Sequence, residues 1–532
     1  MPFLSNFKFL YFVLFSLITL PVSLSFLDQW YTPKWIGLYL SALILLVSFL
    51  KKKTLSIPKN TSINISLLLI FISLVISSIS NWPIYFDNHL LDWLCFLIIC
   101  IFGYNQYSSN SPFSKQLYLP IIIPTGVILL IGYLQFFGFD LLSSFTKSSF
   151  PTSLFGHRNR ISEILGLSAI IQIISLIETN KKKITIPKTL ILSATLSFIS
   201  LFYTRSVILG ISLSFSIIIF LKFRENKTKL ISLFFLTFLG SAILLNIAST
   251  NVYKQYGLKV GSAGLRITKW KNTSAMIFKN PEGVGLGNFE FGYIPYDDFF
   301  EYDRESTEKI VVKSPHNGYL EVMSEIGFLS IFPILFLFYF LLHGTFQKIH
   351  NMHYLFSFSL IIYFCNQLMW AFPLETPFLF GFFAFLLGIS LKLLIPQNIA
   401  LSTKQIKILF IPLFISILLV GCFFTASHYI EFNKRNNLRL TRVGCRLYPS
   451  NWRLCIQKGF LEEKNGNYTK AIGTFNSVIR RMPHHYVAIL HLAITYSKME
   501  NQVEACKHYQ KYNQLFNGKS SINSYVLKNC IQ

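Results

Sequence analysis

The sequence predicts an all-α membrane protein: a polytopic bundle of about thirteen helical spans, a large polar loop and a soluble C-terminal helical domain. Hydrophobic residues fill 52% of the 532 positions and charged residues only 13%, about half the charged share of soluble domains. Apolar runs long enough to cross a bilayer recur through the first 426 residues. From about residue 450 they give way to amphipathic helices.

The predicted spans share an apolar composition and a length close to what a bilayer requires. They lie near residues 8–26, 34–50, 63–80, 90–104, 118–138, 161–178, 187–203, 206–222, 229–248, 323–343, 353–372, 378–395 and 408–426. The first run has no small-residue cleavage site and a second run follows at once, which favours an uncleaved helix over a signal peptide. Residues 1–426 are therefore assigned to one membrane body, with 249–322 as its large loop.

Basic residues in the short loops predict the orientation. The loops assigned to the cytoplasm carry Lys51, Lys52, Lys53, Lys115, Lys181, Lys182, Lys183, Lys188, Lys222, Arg224, Lys227, Lys229, Lys348, Lys404 and Lys407. On the other side, loop 81–89 carries none and loop 139–160 carries Lys147, Arg158 and Arg160. This bias places the N-terminus inside and both 249–322 and 427–532 in the periplasm of a bacterial inner membrane. The same loops account for much of the net charge of +25, so nucleic acid is not expected as a partner.

The C-terminal region 427–532 contains two similar blocks offset by 34 residues. The matched pairs are Gly459 with Ala493, Ala471 with Ala505, Phe475 with Tyr509, and Pro449 with Pro483. Small residues followed by an aromatic residue, with proline at the repeat end, resemble a tetratricopeptide repeat. Such surfaces commonly bind proteins, so residues 450–515 are expected either to recruit a protein partner or to pack as a cap on the membrane body.

Cysteines and acidic residues give no sign of a metal site. Four of the eight cysteines lie in the C-terminal region, at Cys445, Cys455, Cys506 and Cys530. An oxidising compartment would permit up to two disulfides there, but the sequence does not decide their pairing. The acidic residues between 297 and 305 lack the register of a calcium loop, which favours a solvated loop over a metal site. Neither a metal nor a cofactor is expected.

Two arginines suggest a site for a diphosphate. Arg205 lies at the outer edge of a span, against the basic-inside trend, and Arg266 opens an amphipathic helix that also contains Trp270. A single arginine at a membrane edge is adequately explained as an anchor. Two of them suit a diphosphate-linked substrate, because guanidinium is permanently charged and binds phosphate oxygens in a bidentate manner.

The large loop ends in Ser314-Pro315-His316-Asn317-Gly318-Tyr319-Leu320-Glu321. An imidazole is a suitable general base near neutral pH, which makes His316 the candidate. Alternatively His316 caps the following helix, and Asn317 before Gly318 is ordinary turn chemistry. Earlier in the loop, Gly283, Gly285 and Gly287 permit turns and close backbone approach but fit no nucleotide-binding pattern.

Together these motifs resemble the O-antigen ligase and polymerase superfamily of periplasm-facing membrane glycosyltransferases, which includes O-linked protein oligosaccharyltransferases. The resemblance covers about residues 150–345. It rests on Thr204-Arg205-Ser206, Arg266 with Trp270, the block from Asn280-Pro281 to Asn288-Phe289, and Pro315-His316-Asn317-Gly318 followed by Glu325. The segment Phe155-Gly156-His157-Arg158-Asn159 looks like the family's outer-face Gly-x-x-Asn segment, with unusual residues at its two middle positions.

The resemblance implies metal-independent transfer of a glycan from a polyprenyl (undecaprenyl) diphosphate carrier to an acceptor. In that scheme His316 is the catalytic base and Arg205 and Arg266 bind the diphosphate. The expected supporting residues are Asn159, Trp270, Asn317 and Glu325. A lipid A-core acceptor is favoured, while a growing glycan (polymerase) and a protein (oligosaccharyltransferase) stay open. Outside the family, a lipid-linked glycan transporter would show charges along a midplane pathway, and a membrane scaffold would not need the two arginines and the histidine.

Overall fold

The computed structural model describes residues 7–21, 32–80, 88–139, 153–155, 157–178, 182–202, 204–222, 262–297, 312–371, 373–515 and 530. This part of the chain is almost wholly helical, as predicted, with one two-stranded ribbon. The helices are α1 Phe7–Thr19, α2 Thr32–Leu50, α3 Thr61–Ser80, α4 Asn88–Gln106, α5 Phe113–Phe136, α6 Arg158–Glu178, α7 Lys182–Phe202, α8 Arg205–Lys222, α9 Ser262–Lys279, α10 Phe289–Tyr293, α11 Gly318–Ile326, α12 Ile331–Gln347, α13 Met352–Trp370, α14 Pro377–Leu394, α15 Thr403–Asn433, α16 Leu438–Leu447, α17 Trp452–Lys464, α18 Tyr468–Arg481, α19 Tyr486–Lys498 and α20 Gln502–Leu515. Short 3₁₀ turns cover Ile294–Tyr296, Phe328–Ser330 and Pro373–Glu375.

The predicted span 229–248 falls outside the described residues, and 323–343 is divided between two helices; each of the other predicted spans overlaps one helix. Within the described residues, five helical stretches are long and apolar enough to cross a bilayer: Thr32–Leu50, Asn159–Glu178, Phe328–Gln347, Pro377–Leu394 and Thr403–Asn433. Five further apolar stretches are shorter, at Thr61–Ser77, Leu90–Gln106, Ile121–Phe136, Ile186–Leu201 and Ser206–Leu221. The total of thirteen spans therefore stays a prediction.

The bundle is packed through small residues where helix backbones meet. A Cβ atom on Gly388 of α14 would overlap the carbonyl oxygen of Cys100 in α4, and one on Gly103 would overlap the carbonyl oxygen of Phe385. Because lipid tails are as apolar as the helices, such close contact is a main source of helix association in a membrane. Glycine on both helices lets α4 and α14 approach this closely.

A β-ribbon and the C-terminal domain lie at opposite ends of the long helix α15. Strands β1 Thr54–Pro58 and β2 Asn398–Ser402 pair antiparallel, and β2 leads directly into α15. The 31 residues of α15 then rise about 46 Å before the C-terminal domain begins. The lysines of 51–53 therefore lie at the end of the bundle remote from that domain.

The predicted span 323–343 is divided in the structure. Helix α11 ends at Gly327, whose φ of 103° is accessible to glycine at little cost, and α12 starts four residues later. The short α11 thus belongs to the loop side of this break, directly after His316.

The C-terminal domain contains two consecutive helical hairpins. Their first residues, Trp452 and Tyr486, are 34 residues apart, which matches the repeat offset read from the sequence. Gly459 packs against the Phe475 ring, and Ala471, Ala493 and Ala505 are fully buried. Cys445 pairs with Cys455 and Cys506 with Cys530, so the two disulfides permitted by the sequence are both formed. The tetratricopeptide assignment itself stays a prediction.

Candidate functional site

The last turn of α13, residues Asn366–Trp370, is the point on which the candidate site is assembled. Its amide side chains hold the start of α8: the Ser206 carbonyl accepts hydrogen bonds from Asn366 Nδ2 at 2.7 Å and from Gln367 Nε2 at 3.2 Å. Thr204, just before α8, donates from Oγ1 to Ser162 Oγ of α6 at 3.0 Å. Helices α6 and α8 therefore begin beside this turn.

Arg266 binds the same turn from the large loop. Its Nη1 donates to the carbonyl of Trp370 at 3.1 Å, and the rings of Trp270 and Trp370 lie 5.5 Å apart. Gln367 and Trp370 are three residues apart on one helix and therefore lie about one turn apart. The guanidinium of Arg266 and the first turn of α8, which starts at Arg205, are thereby brought into one neighbourhood. The side chain of Arg205 lies outside the described part.

Helix α11 docks on this turn as well. Asn317 is its N-cap, and Oδ1 accepts from the backbone N–H groups of Tyr319 at 3.0 Å and Leu320 at 3.1 Å. The Asn317 amide also lies 3.8 Å from the sulfur of Met369. A Cβ on Gly318 would come within 2.7 Å of the Leu368 side chain, so glycine permits the close approach. Asn317, and not His316, is the residue that caps the helix.

His316 is held in a strained backbone conformation. Its φ is 55°, a left-handed value that is uncommon outside glycine, although asparagine, aspartate and histidine adopt it more often than other residues. The carbonyl of the preceding Pro315 accepts a hydrogen bond from Trp270 Nε1 at 3.0 Å, and Ser314 Oγ accepts one from the His316 N–H at 3.3 Å. Strain of this kind persists only where surrounding contacts enforce it, and it is frequent at functional sites.

Burial, followed by the positive charges of Lys269, Arg266 and His157, lowers the pKa of His316 from 6.5 to about 4. The half-buried imidazole is therefore neutral at physiological pH. His157 belongs to the predicted Gly-x-x-Asn segment, and its Nδ1 accepts from the backbone N–H of Asn159 at 3.3 Å. Half-buried Asn159 lies in the first turn of α6, two residues after His157.

The glycine block, the segment that contains Gly283, Gly285 and Gly287, is attached to α11 by backbone hydrogen bonds. We call this attachment the interlock. The N–H of Val284 donates to the Ser324 carbonyl at 2.8 Å, and that of Gly285 donates to the Glu325 carbonyl at 3.0 Å. Gly283 has a φ of 89°, and a Cβ there would lie 2.6 Å from the Gly327 nitrogen. The predicted close backbone approach is observed here, and it serves loop docking.

Glu325 belongs to this interlock. Its Oε1 accepts from the backbone N–H of Phe289 at 3.3 Å, and its carbonyl accepts from Ser77 Oγ of α3 at 2.7 Å. The carboxylate therefore faces the start of α10. Glu325 thus supports the architecture at the end of α11 opposite His316.

A group of acidic residues beside the site was missed as a site feature by sequence reasoning. Glu375 forms an ion pair with Arg160 at 2.8 Å and hydrogen-bonds Glu321, whose pKa is raised well above its ordinary value by burial and then by Glu375 and Glu325. Glu163 in α6 is buried and lies within electrostatic range of Arg160 and Arg266. Among the described residues, its Oε2 has no hydrogen-bond partner. The sequence contained a signal for Glu163, because an acidic residue within an apolar membrane span is usually functional.

The acidic segment 297–305, for which the sequence favours a solvated loop over a metal site, lies mostly outside the described part of the chain. Of residues 297–305 only Asp297 is described, and it is buried. Across the described ranges no group of three or more His, Cys, Asp and Glu residues has the arrangement needed to hold a metal ion. The expectation of a metal-free site stays a prediction.

Comparison with known families bears on the same part of the chain. Residues 189–337 match the O-antigen ligase family model. The match supports membership of the O-antigen ligase superfamily, as the motifs implied. No curated protein matches the chain.

The O-antigen ligase match includes most of the residues assembled at the α13 turn. Arg205, Arg266, Trp270, His316 and the Asn317–Glu325 stretch all fall within residues 189–337. Asn159, Glu163 and Glu375 fall outside it, although Glu163 and Glu375 interact electrostatically with arginines of the site. The match supports a membrane glycosyltransferase of the O-antigen ligase or polymerase type.

Proposed function

We propose that this protein is an O-antigen ligase-type transferase that moves a glycan from a polyprenyl diphosphate, such as undecaprenyl diphosphate, to a lipid A-core acceptor. The observation that carries the proposal is the joint attachment of α8, Arg266 and the His316 segment to the last turn of α13. These three segments are far apart in sequence, and packing alone does not require an arginine and a histidine at one turn.

The chemistry is a displacement at the anomeric carbon. The acceptor hydroxyl attacks, its proton passes to His316, and the bond between the anomeric carbon and the phosphate oxygen breaks. The lipid diphosphate leaves with the bonding electron pair. Since no pair of carboxylates is invoked as nucleophile and acid, direct displacement inverts the anomeric configuration.

Arginine side chains stabilise the charge that develops on the diphosphate. Arg266 has one guanidinium nitrogen on the Trp370 carbonyl, which fixes the side chain beside the base. Arg205 is assigned the second contact, because α8 begins there. Guanidinium groups aimed at a leaving diphosphate are worth most in a site that excludes water.

The low pKa of His316 fits the task in the substrate-free protein. An imidazole with a pKa of about 4 is unprotonated at neutral pH and ready to accept a proton. A bound diphosphate offsets the positive charges of Arg266 and Lys269, which raises the basicity of the imidazole when the donor is in place. The donor thereby prepares its own general base.

An apolar cavity of about 120 Å³ begins directly after the cap residue Asn317 and offers a place for the isoprenoid chain. Its lining includes Gly318 and Tyr319 of α11, Leu67 of α3, Phe338 of α12 and Phe383 of α14. The outer faces of α3 and α12 are rich in exposed apolar side chains, which suits contact with lipid. A diphosphate at His316 and a tail in this cavity form a continuous path for the donor.

The proposed location is the bacterial inner membrane, with the site and C-terminal domain in the periplasm. The C-terminal disulfides favour an oxidising compartment. The lysine-rich 51–53 turn lies at the opposite end of the bundle, which agrees with cytoplasmic placement of basic loops.

The acceptor is tested by surface polysaccharide in a deletion strain. Loss of all capped lipid A-core supports the ligase proposal. Capping by single repeat units would instead indicate a polymerase, and loss of glycoprotein alone would indicate protein transfer. These two are the alternatives within the family.

The catalytic assignment is tested by complementation of that strain with His316→Ala. We expect no transfer at wild-type amounts of membrane-inserted protein. His350→Ala is the matched control, because His350 is exposed in the turn between α12 and α13, at the opposite end of the bundle. Wild-type transfer by the His316 variant would remove the general-base assignment.

A further inference from the structure

Phe291, in the short helix α10 of the large loop, is clamped by the C-terminal domain. Its ring stacks on His485 with centroids 4.3 Å apart and an interplanar angle of 18°. Trp452 meets the same ring edge-on at 5.3 Å and also contacts His485 at 4.8 Å. Phe291 and His485 are both buried, so this is a desolvated aromatic contact between two regions that are about 200 residues apart.

The clamped helix is attached to the helix that follows His316. Two residues before Phe291, the N–H of Phe289 donates to Glu325 Oε1 at 3.3 Å. The preceding segment is bonded to Ser324 and Glu325 carbonyls through Val284 and Gly285. The position of α10 and the position of α11 are therefore coupled by side-chain and backbone bonds.

Asn451, the residue before Trp452, fixes the C-terminal domain to the membrane bundle. Asn451 Nδ2 donates to Glu431 Oε2 at 2.9 Å and to Ser427 Oγ at 3.2 Å, both in α15. Asn451 also caps α17, which begins with Trp452. Membrane helix α15 and loop helix α10 are thus joined through adjacent residues, Asn451 and Trp452.

We propose that the C-terminal helical domain is a positioning element of the transferase site, acting through the contact of Trp452 and His485 with Phe291. The inference rests on the proposed function of the site and adds a role to the domain beyond partner recruitment. Phe291 touches neither donor nor acceptor in this scheme. It fixes the position of α10 and, through the bond of Phe289 to Glu325, the position of α11, which follows His316 and its cap residue Asn317.

Loosening this contact should lower the rate of the catalytic step more than it weakens donor binding. Displacement of a catalytic group by about 1 Å can cost a hundredfold in rate, so a fall in kcat of roughly ten- to a hundredfold is expected. The donor KM should change much less than kcat, because the bond of Arg266 to the Trp370 carbonyl and most of the cavity lining, on α3, α4, α12 and α14, do not involve α10.

The test uses full-length protein in lipid nanodiscs and approaches the contact from both sides. Phe291→Ala removes the loop ring. His485→Asn removes the domain ring while keeping a side-chain acceptor for the N–H of Ala488, which His485 Nδ1 now caps at 3.3 Å. Hydrogen exchange of peptide 281–290 reports the bonds of Val284 and Gly285, and exchange of peptide 468–481 shows whether the C-terminal domain stays folded. Donor kinetics are measured on the same samples.

Both variants should speed exchange of peptide 281–290 and lower kcat, with peptide 468–481 unchanged. Phe278→Ala is the matched control, since this phenylalanine is in the same loop but 81% exposed, and both readouts should stay at wild type. Wild-type exchange in both variants, or faster exchange with wild-type kcat, would overturn the positioning role. His316→Ala separates the two proposals: it should abolish transfer with wild-type exchange, and if it transfers normally the proposed function fails while the exchange result still stands.

Discussion

The pH dependence of transfer is the sharpest test of His316 as the base. Its pKa is about 4 in the substrate-free protein, because of burial and the charges of Lys269, Arg266 and His157. One added negative charge at about 6 Å, with an effective dielectric constant of about 20, contributes about 3 kcal/mol, or about 2 pKa units. A donor diphosphate near Arg266 should therefore return the pKa of His316 to about 6.

The direction of the pH dependence follows from the role of His316 as a general base. A general base must be unprotonated, so the rate falls as the pH drops below its pKa. The acid limb of kcat/KM reports the free protein and should lie near pH 4, while that of kcat reports the donor complex and should lie near pH 6. Lys269→Gln removes one positive neighbour and should move the limb of kcat/KM upward, toward the ordinary histidine value.

The assay is initial-rate transfer in proteoliposomes between pH 4 and 8, with each sample returned to pH 7.5 to show that activity recovers. This recovery step is needed because the pKa of His485 is also lowered to about 4, chiefly by burial. A buried neutral histidine makes folding less favourable as the pH falls from about 6.5 toward 4, since the unfolded chain then binds the extra proton. If the acid limbs of kcat and kcat/KM lie at the same pH, or if Lys269→Gln leaves the limb of kcat/KM unchanged, bound donor does not raise the pKa of His316 and the reasoning is refuted.

Three further variants test separate parts of the structure. Arg266→Lys should lower kcat about a hundredfold in the transfer assay, because one ammonium group does not reproduce the guanidinium contacts with the Trp370 carbonyl and a phosphate; activity near wild type would argue against a bidentate role. Gly283→Ala should destabilise the loop by at least about 2 kcal/mol, measured as faster proteolysis within 280–290. The control is Gly466→Ala, at a φ of 73° with open space around it, which should cost only the backbone strain of about 1 kcal/mol. Equal losses of stability in the two variants would show that the interlock is unimportant. Cys445→Ser with Cys455→Ser should lower the stability of the C-terminal domain by about 3 kcal/mol, measured by urea-dependent trypsin cleavage, and an unchanged midpoint would mean that this disulfide adds nothing.

Much of the fold could be predicted because the bilayer imposes a length and a composition on each span. Helix α14 at Pro377–Leu394 and α13 at Met352–Trp370 differ from the predicted runs by one or two residues. The β-ribbon was not foreseen, since its strands are five residues long and pair across more than 300 positions. Only tertiary structure supplies the partner for such a short strand.

The candidate site was predictable in its motif residues and not in its scaffold. His316, Arg266 and Trp270 stand out by residue type within a polar loop. The amides of Asn366 and Gln367 gave no comparable signal, because two polar residues in a span are readily explained by helix–helix hydrogen bonds. The structure shows that these amides bind the carbonyl at the start of α8.

Some motif residues have a plainer role than the family resemblance suggests. Asn317 is a helix cap, which is the turn chemistry that the sequence left open. Glu325 and the glycine block join the loop to α11. The ion pair of Arg160 with Glu375 spans 215 residues, and no spacing rule connects two such positions.

The strained backbone of His316 explains why so many of these residues are structural. A positive φ at a residue other than glycine costs about 1–3 kcal/mol, and the segment adopts it only if both ends of α11 are fixed. Trp270 and the Asn317 cap fix the first end, while the interlock at Gly283 and Gly327 fixes the second. Because α10 shares that interlock and is held by the C-terminal domain, we infer that the direction of the imidazole depends on contacts as distant in sequence as His485, about 170 residues away. Substitutions at these remote contacts should therefore change the rate of the chemical step, and the donor affinity should be set mainly by Arg266 and the apolar cavity.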